Sequence, residues 1–164
     1  MKKQQYIRHY IALLILVLMS ACGFQLRGQY SLPSGMEKVF IQGDVDGLLL
    51  RHLKQNLQRS GVTVVNQVDA ASAIILIHEQ VMERHVLSIG NNARVREYES
   101  SYKLTYSVRL KPGKTLIDEE SISLKRDFSF NETQVLAKER EETILLHDMQ
   151  LQAAQTILRR LASY

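Results

Sequence analysis

The chain has 164 residues, a formal net charge of +4 and one cysteine, and 45% of its residues are hydrophobic. These values predict one globular domain of ordinary size, and a single cysteine excludes an internal disulfide framework. Part of the positive charge comes from Lys2, Lys3 and Arg8, and the small remainder argues against a nucleic-acid-binding protein, which usually carries a strongly basic face.

Residues 1–21 have the order of a secretory signal peptide: a basic start, an apolar run from Ile11 to Met19, and two small residues before Cys22. The apolar run is about half of the roughly 20 residues that a helix needs to cross a bilayer, so we expect cleavage. A lone cysteine at this place resembles the bacterial lipobox, in which the cysteine is acylated and becomes the first residue. Gly23 follows where aspartate usually causes inner-membrane retention. The resemblance therefore implies the periplasmic face of the outer membrane.

Residues 22–35 lack a sustained hydrophobic period and are rich in glycine. We expect an acylated tether at 22–35, followed by a single domain at 36–164. This domain opens with a short strand from Lys38 to Gly43. A helix capped by Asp44 or Asp46 follows. The apolar face expected for this helix consists of Leu50, Leu53 and Leu57.

Extended segments follow this helix. A brief strand is predicted from Val62 to Val65, and a longer strand from Ala73 to Leu87 that is apolar on both faces at its start. A turn at Gly90 ends it. From Tyr98 to Leu110 the even positions are apolar except for Ser100, and the odd positions are polar; this period of two predicts a long half-buried strand.

The next hairpin and strand are less regular. Pro112 and Gly113 predict the centre of a type II turn. In the strand from Thr115 to Phe130, Asp118 and Glu120 share parity with the apolar residues, so we expect a bend near its start. The residues expected to face the core are Leu116, Ile122, Leu124, Phe128 and Phe130.

A final long helix begins near Asn131, which can cap it. Its expected buried positions repeat at seven residues and are Ala137, Ile144, Leu151 and Leu158. The order of elements predicts an α+β fold with two helices packed on one face of a mainly antiparallel four-stranded sheet.

The sequence contains no recognisable catalytic motif, so an enzyme is disfavoured and no cofactor is expected. Glu79, Glu83 and His85 share strand parity and could be brought together as metal ligands. Such residues on an exposed strand face are more often solvated, so we predict no metal site.

Basic residues offer a better candidate site. Arg94 and Arg96 follow the Gly90 turn, and Lys138 lies near the start of the final helix. Cationic side chains of this kind can hold phosphate groups by charge-assisted hydrogen bonds. From the residues alone, scattered surface charge is an equally good interpretation.

Together, these segments resemble the lipopolysaccharide-assembly lipoprotein family LptE. The resemblance rests on Cys22-Gly23-Phe24-Gln25-Leu26-Arg27-Gly28, the spacing from Pro33 to Met36, Arg96-Glu97-Tyr98, and Gln134-Val135-Leu136-Ala137-Lys138-Glu139. It implies a non-enzymatic protein, anchored to the membrane through acylated Cys22. Such a protein lies in the lumen of the outer-membrane β-barrel LptD, assists its assembly, plugs it and binds lipopolysaccharide during delivery to the cell surface.

The resemblance also implies contact residues. The family contacts lipopolysaccharide through basic residues near the hairpin and near the last helix, and Lys138 matches the second of these positions. Asn91 occupies the aligned hairpin position, so Arg94 or Arg96 is expected to take that role. The alternative is a free-standing periplasmic lipoprotein that binds an envelope lipid or glycan without a barrel.

Overall fold

Residues 30–129 and 135–164 are described by a computed structural model. Within them, five strands form one sheet and two helices pack against it. In chain order the elements are β1 (Lys38–Gln42), α1 (Gly47–Arg59), β2 (Thr63–Val64), a 3₁₀ turn (Val68–Ala70), β3 (Ala73–Ile89), β4 (Val95–Leu110), β5 (Lys114–Ser129) and α2 (Val135–Leu161). The predicted α+β class is confirmed.

The sheet differs from the prediction in strand count and in that its first three strands, β1, β2 and β3, run parallel to one another. Its order is β2-β1-β3-β4-β5, so the described part of the chain has five strands and not four. β1 runs parallel to β2 and β3, whereas β3, β4 and β5 form an antiparallel meander. The reason is that α1 joins β1 to β2 as a crossover, which is the connection that parallel neighbours require.

The first helix begins where the sequence indicates, but its buried face is shifted. The Asp46 side chain accepts a hydrogen bond from the Leu48 amide at 2.8 Å, so Asp46 and not Asp44 is the N-cap. Leu50, predicted for the apolar face, is only partly buried. The fully buried residues are Leu49, Leu53 and Leu57. A spacing of four residues keeps them on one row of the helix.

The second helix is buried along a narrow stripe. The buried apolar residues of its C-terminal part are Met149, Ala153, Ala154, Ile157, Leu158 and Leu161. Ile144 is 67% exposed, so its predicted place in the core is wrong. Glu142 faces the sheet, because it forms an ion pair with Arg84 of β3. Residues two positions apart point to nearly opposite sides of a helix, so Ile144 points away from the sheet. The predicted cap at Asn131 lies outside the described residues.

The alternation in β4 predicts its buried face correctly. The core cluster contains Tyr102, Leu104, Tyr106, Val108 and Leu110 together with buried residues of both helices. The opposite side of the sheet, which we call the open face, carries Glu79, Lys103, Thr105, Ser121 and Lys125. The two sides therefore differ sharply in polarity.

The expected bend in β5 is a register shift against β4. Tyr106 pairs with Glu120 and Val108 pairs with Ile117, so β5 has one extra residue between these two pairs. Because of this shift, the side chains of β5 on the two sides of the extra residue face the core from even-numbered positions on one side and from an odd-numbered position on the other. As a result Ile117 is buried, and Leu116 is only partly buried.

The turn between β4 and β5 is not the predicted type II turn. The peptide bond between Lys111 and Pro112 is cis, and the Gly113 amide donates a hydrogen bond to the Leu110 carbonyl at 2.8 Å. The central residues are therefore Lys111 and Pro112, one position earlier than expected.

The domain has two distinct ends. The hairpin end consists of the β3–β4 turn, the last residues of β5 and the start of α2. At the opposite end the Tyr30 amide donates a hydrogen bond to Ser60 Oγ at 3.3 Å. Tyr30 and Leu32 pack against the core, and Gly35 lies against the Leu110 side chain. The described part of the expected tether therefore lies on the domain.

Candidate anion-binding site at the hairpin end

The β3–β4 turn is closed by its own backbone. The Gly90 amide donates to the Arg94 carbonyl at 2.7 Å, and the Ala93 amide donates to the Gly90 carbonyl at 2.9 Å. Ala93 has a φ of 58°, the left-handed conformation that follows a tight turn in hairpins of this kind. This geometry makes Arg94 the first residue after the turn.

Arg96 lies against the turn. A Cβ added at Gly90 would come within 2.8 Å of Arg96 Nε, so the absence of a side chain at Gly90 makes room for this arginine. The structure therefore places both predicted arginines at the hairpin end.

Lys138 reaches the same end from the start of α2. Its Nζ lies 2.6 Å from Glu141 Oε2 and 3.4 Å from Ser129 Oγ. Ser129 pairs in register with Glu97 of β4, the neighbour of Arg96. Because paired strands lie about 5 Å apart, Ser129, which Lys138 contacts, is roughly one strand spacing from the strand that carries Arg96.

Acidic residues are interleaved with these cations. Glu97 accepts a hydrogen bond from Ser88 Oγ at 2.7 Å, and Glu141 pairs with Lys138. The site is therefore a set of cations with local counter-charges and not a uniformly basic patch. Arginine and lysine in this setting can form charge-assisted hydrogen bonds with phosphate oxygens.

The sequence analysis missed an apolar strip beside these cations. Val86, Leu87 and Ile89, at the end of β3, are 50%, 49% and 64% exposed. They are exposed because α1 covers only the first part of β3: the Asp46 amide, just before α1, bonds to the Gln80 side chain at 3.2 Å. The signal in the sequence is the continuation of apolar residues in β3 beyond the reach of the helix.

Contacts with α2 and between aromatic rings stabilise the hairpin end. The Arg84 guanidinium lies 4.9 Å from the centroid of the Tyr98 ring and pairs with Glu142 of α2 at 3.1 Å. The Tyr98 and Phe128 rings stack at 5.7 Å. These contacts join β3, β4, β5 and α2, so the cations lie on a part of the sheet that is stabilised by side-chain contacts.

The remaining candidate residues do not form a second site. Within the described ranges, no three His, Cys, Asp or Glu residues are arranged to hold a metal ion. His85 pairs with Glu83 at 3.2 Å on the exposed surface. No helix in the described part of the chain is long and apolar enough to span a bilayer. Cys22 lies outside the described residues, and its acylation stays a prediction.

Comparison with known proteins gives a consistent result. The model of the family described as Lipopolysaccharide-assembly, LptE, matches residues 36–161. The chain is 32% identical over 162 residues to the LPS-assembly lipoprotein LptE of Yersinia enterocolitica, covering 94% of this chain and 76% of that protein. The protein of the same name from Pectobacterium atrosepticum is also 32% identical, with 94% and 86% covered.

Solved structures share the fold. Uncharacterized lipoprotein B from Nitrosomonas europaea has a TM-score of 0.71 and 34% identity, with 86% of this chain and 91% of that chain covered. Rare lipoprotein B from Shewanella oneidensis has a TM-score of 0.66 and 26% identity, with 77% and 94% covered.

Proposed function

This chain belongs to the lipopolysaccharide-assembly family LptE, and from that membership we propose that it is a non-enzymatic outer-membrane lipoprotein that binds and plugs the LptD β-barrel. In this proposal it assists assembly of the barrel and insertion of lipopolysaccharide into the outer leaflet, and it binds lipopolysaccharide itself. Acylated Cys22 anchors it at the periplasmic side of the outer membrane, and the domain lies in the barrel lumen.

The observation that carries the glycolipid assignment is the pairing of cations with an exposed apolar strip at the hairpin end. Arg94 and Arg96, from the β3–β4 hairpin, and Lys138, from α2, lie at one end of the sheet, and Val86 and Ile89 lie exposed at the same end. Lipid A is an amphiphile with phosphate groups on a sugar headgroup and several acyl chains. Guanidinium and ammonium groups suit the phosphates, and the apolar strip suits the start of the chains.

The open face supports the placement in a barrel. It carries cross-strand polar pairs, with Thr105 Oγ1 and Ser121 Oγ 2.9 Å apart, and Lys103 Nζ and Glu79 Oε2 3.1 Å apart. Outer-membrane barrels have polar interiors. A sheet surface rich in hydroxyls and charges can make hydrogen bonds with such a wall, whereas an apolar surface could not.

Co-purification tests the partner. A C-terminal affinity tag on the full chain, used on gently solubilised outer membranes, should recover an integral barrel in about a one-to-one ratio. Depletion of the protein should leave misassembled barrel and a leaky outer membrane. Recovery as a free monomer with the barrel intact would favour the free-standing lipoprotein.

Charge reversal tests the glycolipid site. A variant with glutamate at Arg94, Arg96 and Lys138 should lose most of its affinity for lipopolysaccharide. The matched control reverses three cations of the open face, Lys103, Arg109 and Lys125, so its change in net charge is the same, and it should retain most of that affinity. Equal loss in both variants would indicate non-specific electrostatic attraction and not a site.

A further inference from the structure

The ammonium of Lys138 already forms an ion pair with a carboxylate of the same helix. Lys138 Nζ lies 2.6 Å from Glu141 Oε2, and the Lys138 side chain is 15% exposed. By comparison, the side chain of Lys125 on the open face is 62% exposed. An ammonium has three N–H donors, and at Lys138 one points at Glu141 and another is within reach of Ser129 Oγ. A phosphate that binds Lys138 therefore competes with Glu141.

The position of this lysine is not explained by helix stability. Lys138 lies near the start of α2, where the helix dipole disfavours a positive charge. Glu141, three residues later, offsets that cost. The Glu141 side chain is 44% exposed, so its carboxylate can be hydrated as soon as it leaves the lysine. Exchange of one anion for another at Lys138 is therefore inexpensive.

We propose that Glu141 sets the affinity of the lipopolysaccharide site by competing with lipid phosphate for Lys138. This inference rests on the proposed function and adds a regulatory residue to it. In the empty site Glu141 neutralises Lys138 and holds its side chain beside Ser129. In the occupied site a phosphate of the glycolipid replaces the Glu141 carboxylate, which moves into water. The competition keeps binding weak enough for the lipid to be passed on.

The test compares two variants with the same change in net charge. Glu141→Gln removes the competitor, and Glu139→Gln removes an exposed carboxylate two residues away. Binding of bisphosphorylated lipid A in neutral detergent micelles to the full mature protein is measured by calorimetry. Glu141→Gln should bind about fivefold more tightly than Glu139→Gln, the factor that corresponds to release of an ion pair of about 1 kcal/mol.

Two further variants separate the possible failures. In the Lys138→Met background, Glu141→Gln should bring no gain, because the cation for which it competes is absent. If Lys138→Met alone leaves lipid A binding unchanged, the proposed glycolipid site is wrong at this residue, and the inference is wrong with it. If Lys138→Met weakens binding but the affinity of Glu141→Gln for lipid A equals or falls below that of Glu139→Gln, only the competition is refuted. A circular dichroism spectrum and a cooperative thermal transition confirm that each variant is folded.

Discussion

Glu120 connects β5 to β4 and to the end of α2, so its replacement by alanine tests how the last helix is held. Its carboxylate accepts hydrogen bonds from the Tyr106 hydroxyl at 3.1 Å and from the Arg160 guanidinium at 2.5 Å. Burial is the main cause that raises the pKa of Tyr106 to about 12. At neutral pH the hydroxyl is therefore protonated and donates to Glu120.

The two bonds differ in their contribution. Glu120 and Arg160 are both partly exposed, and such an ion pair contributes about 0–1 kcal/mol because water screens it. Tyr106 is fully buried, and a buried hydroxyl that loses its acceptor costs about 1–3 kcal/mol. We therefore expect Glu120→Ala to lower the free energy of unfolding by about 2–3 kcal/mol, mostly through Tyr106.

Urea denaturation of the purified protein measures this loss, and a double-mutant cycle assigns it. Tyr106→Phe should lower the free energy of unfolding by about 1 kcal/mol. In the double variant no buried hydroxyl lacks an acceptor, so the combined loss should be about 1 kcal/mol smaller than the sum of the single losses. Strictly additive losses would refute the reasoning. Arg160→Met, which keeps Glu120 as the acceptor of the Tyr106 hydroxyl, is the control and should cost less than about 1 kcal/mol.

Three further predictions concern single positions. Ala93→Gly should stabilise the β3–β4 turn by about 0.5–1 kcal/mol, because Ala93 has a φ of 58°, and slower amide hydrogen exchange in the hairpin would confirm it. Gly43→Ala should destabilise the domain by more than about 2 kcal/mol, since its φ is 120° and a Cβ would lie 2.3 Å from the Ile77 carbonyl oxygen; an unchanged melting temperature would contradict this. Burial, followed by repulsion from His147, lowers the pKa of His52, so the unfolded chain binds the proton more readily and stability falls as pH drops through about 6.5. In His52→Gln this acid-side loss, measured by urea denaturation between about pH 7.5 and 5.5, should be smaller.

Several features of the fold follow from the sequence without any knowledge of the packing. From Tyr102 to Leu110 of β4 apolar and polar side chains alternate, and alternation assigns each residue to a face whatever the neighbouring strands are. The cap of α1 is equally local, because a side-chain oxygen needs only the amides of its own helix; the sequence leaves Asp44 and Asp46 as alternatives, and the structure selects Asp46. The family resemblance, read from short motifs in order, is confirmed by the comparisons.

Other features depend on pairing between distant segments. The phase of β5 changes at the register shift opposite Val108, so the sequence period assigns Leu116 to the core and the structure buries Ile117. The direction of β1 depends on the crossover through α1, which alternation within a strand does not report.

The candidate site illustrates the same division. Arg94, Arg96 and Lys138 can be recognised from their positions in the chain as cations next to a turn and a helix start. The contacts of Lys138 with Ser129 and Glu141 and the uncovered apolar end of β3 are seen only when the strands and helices are packed together. Charge and local conformation belong to single residues and their near neighbours. Burial and ion pairing depend on where separate elements meet.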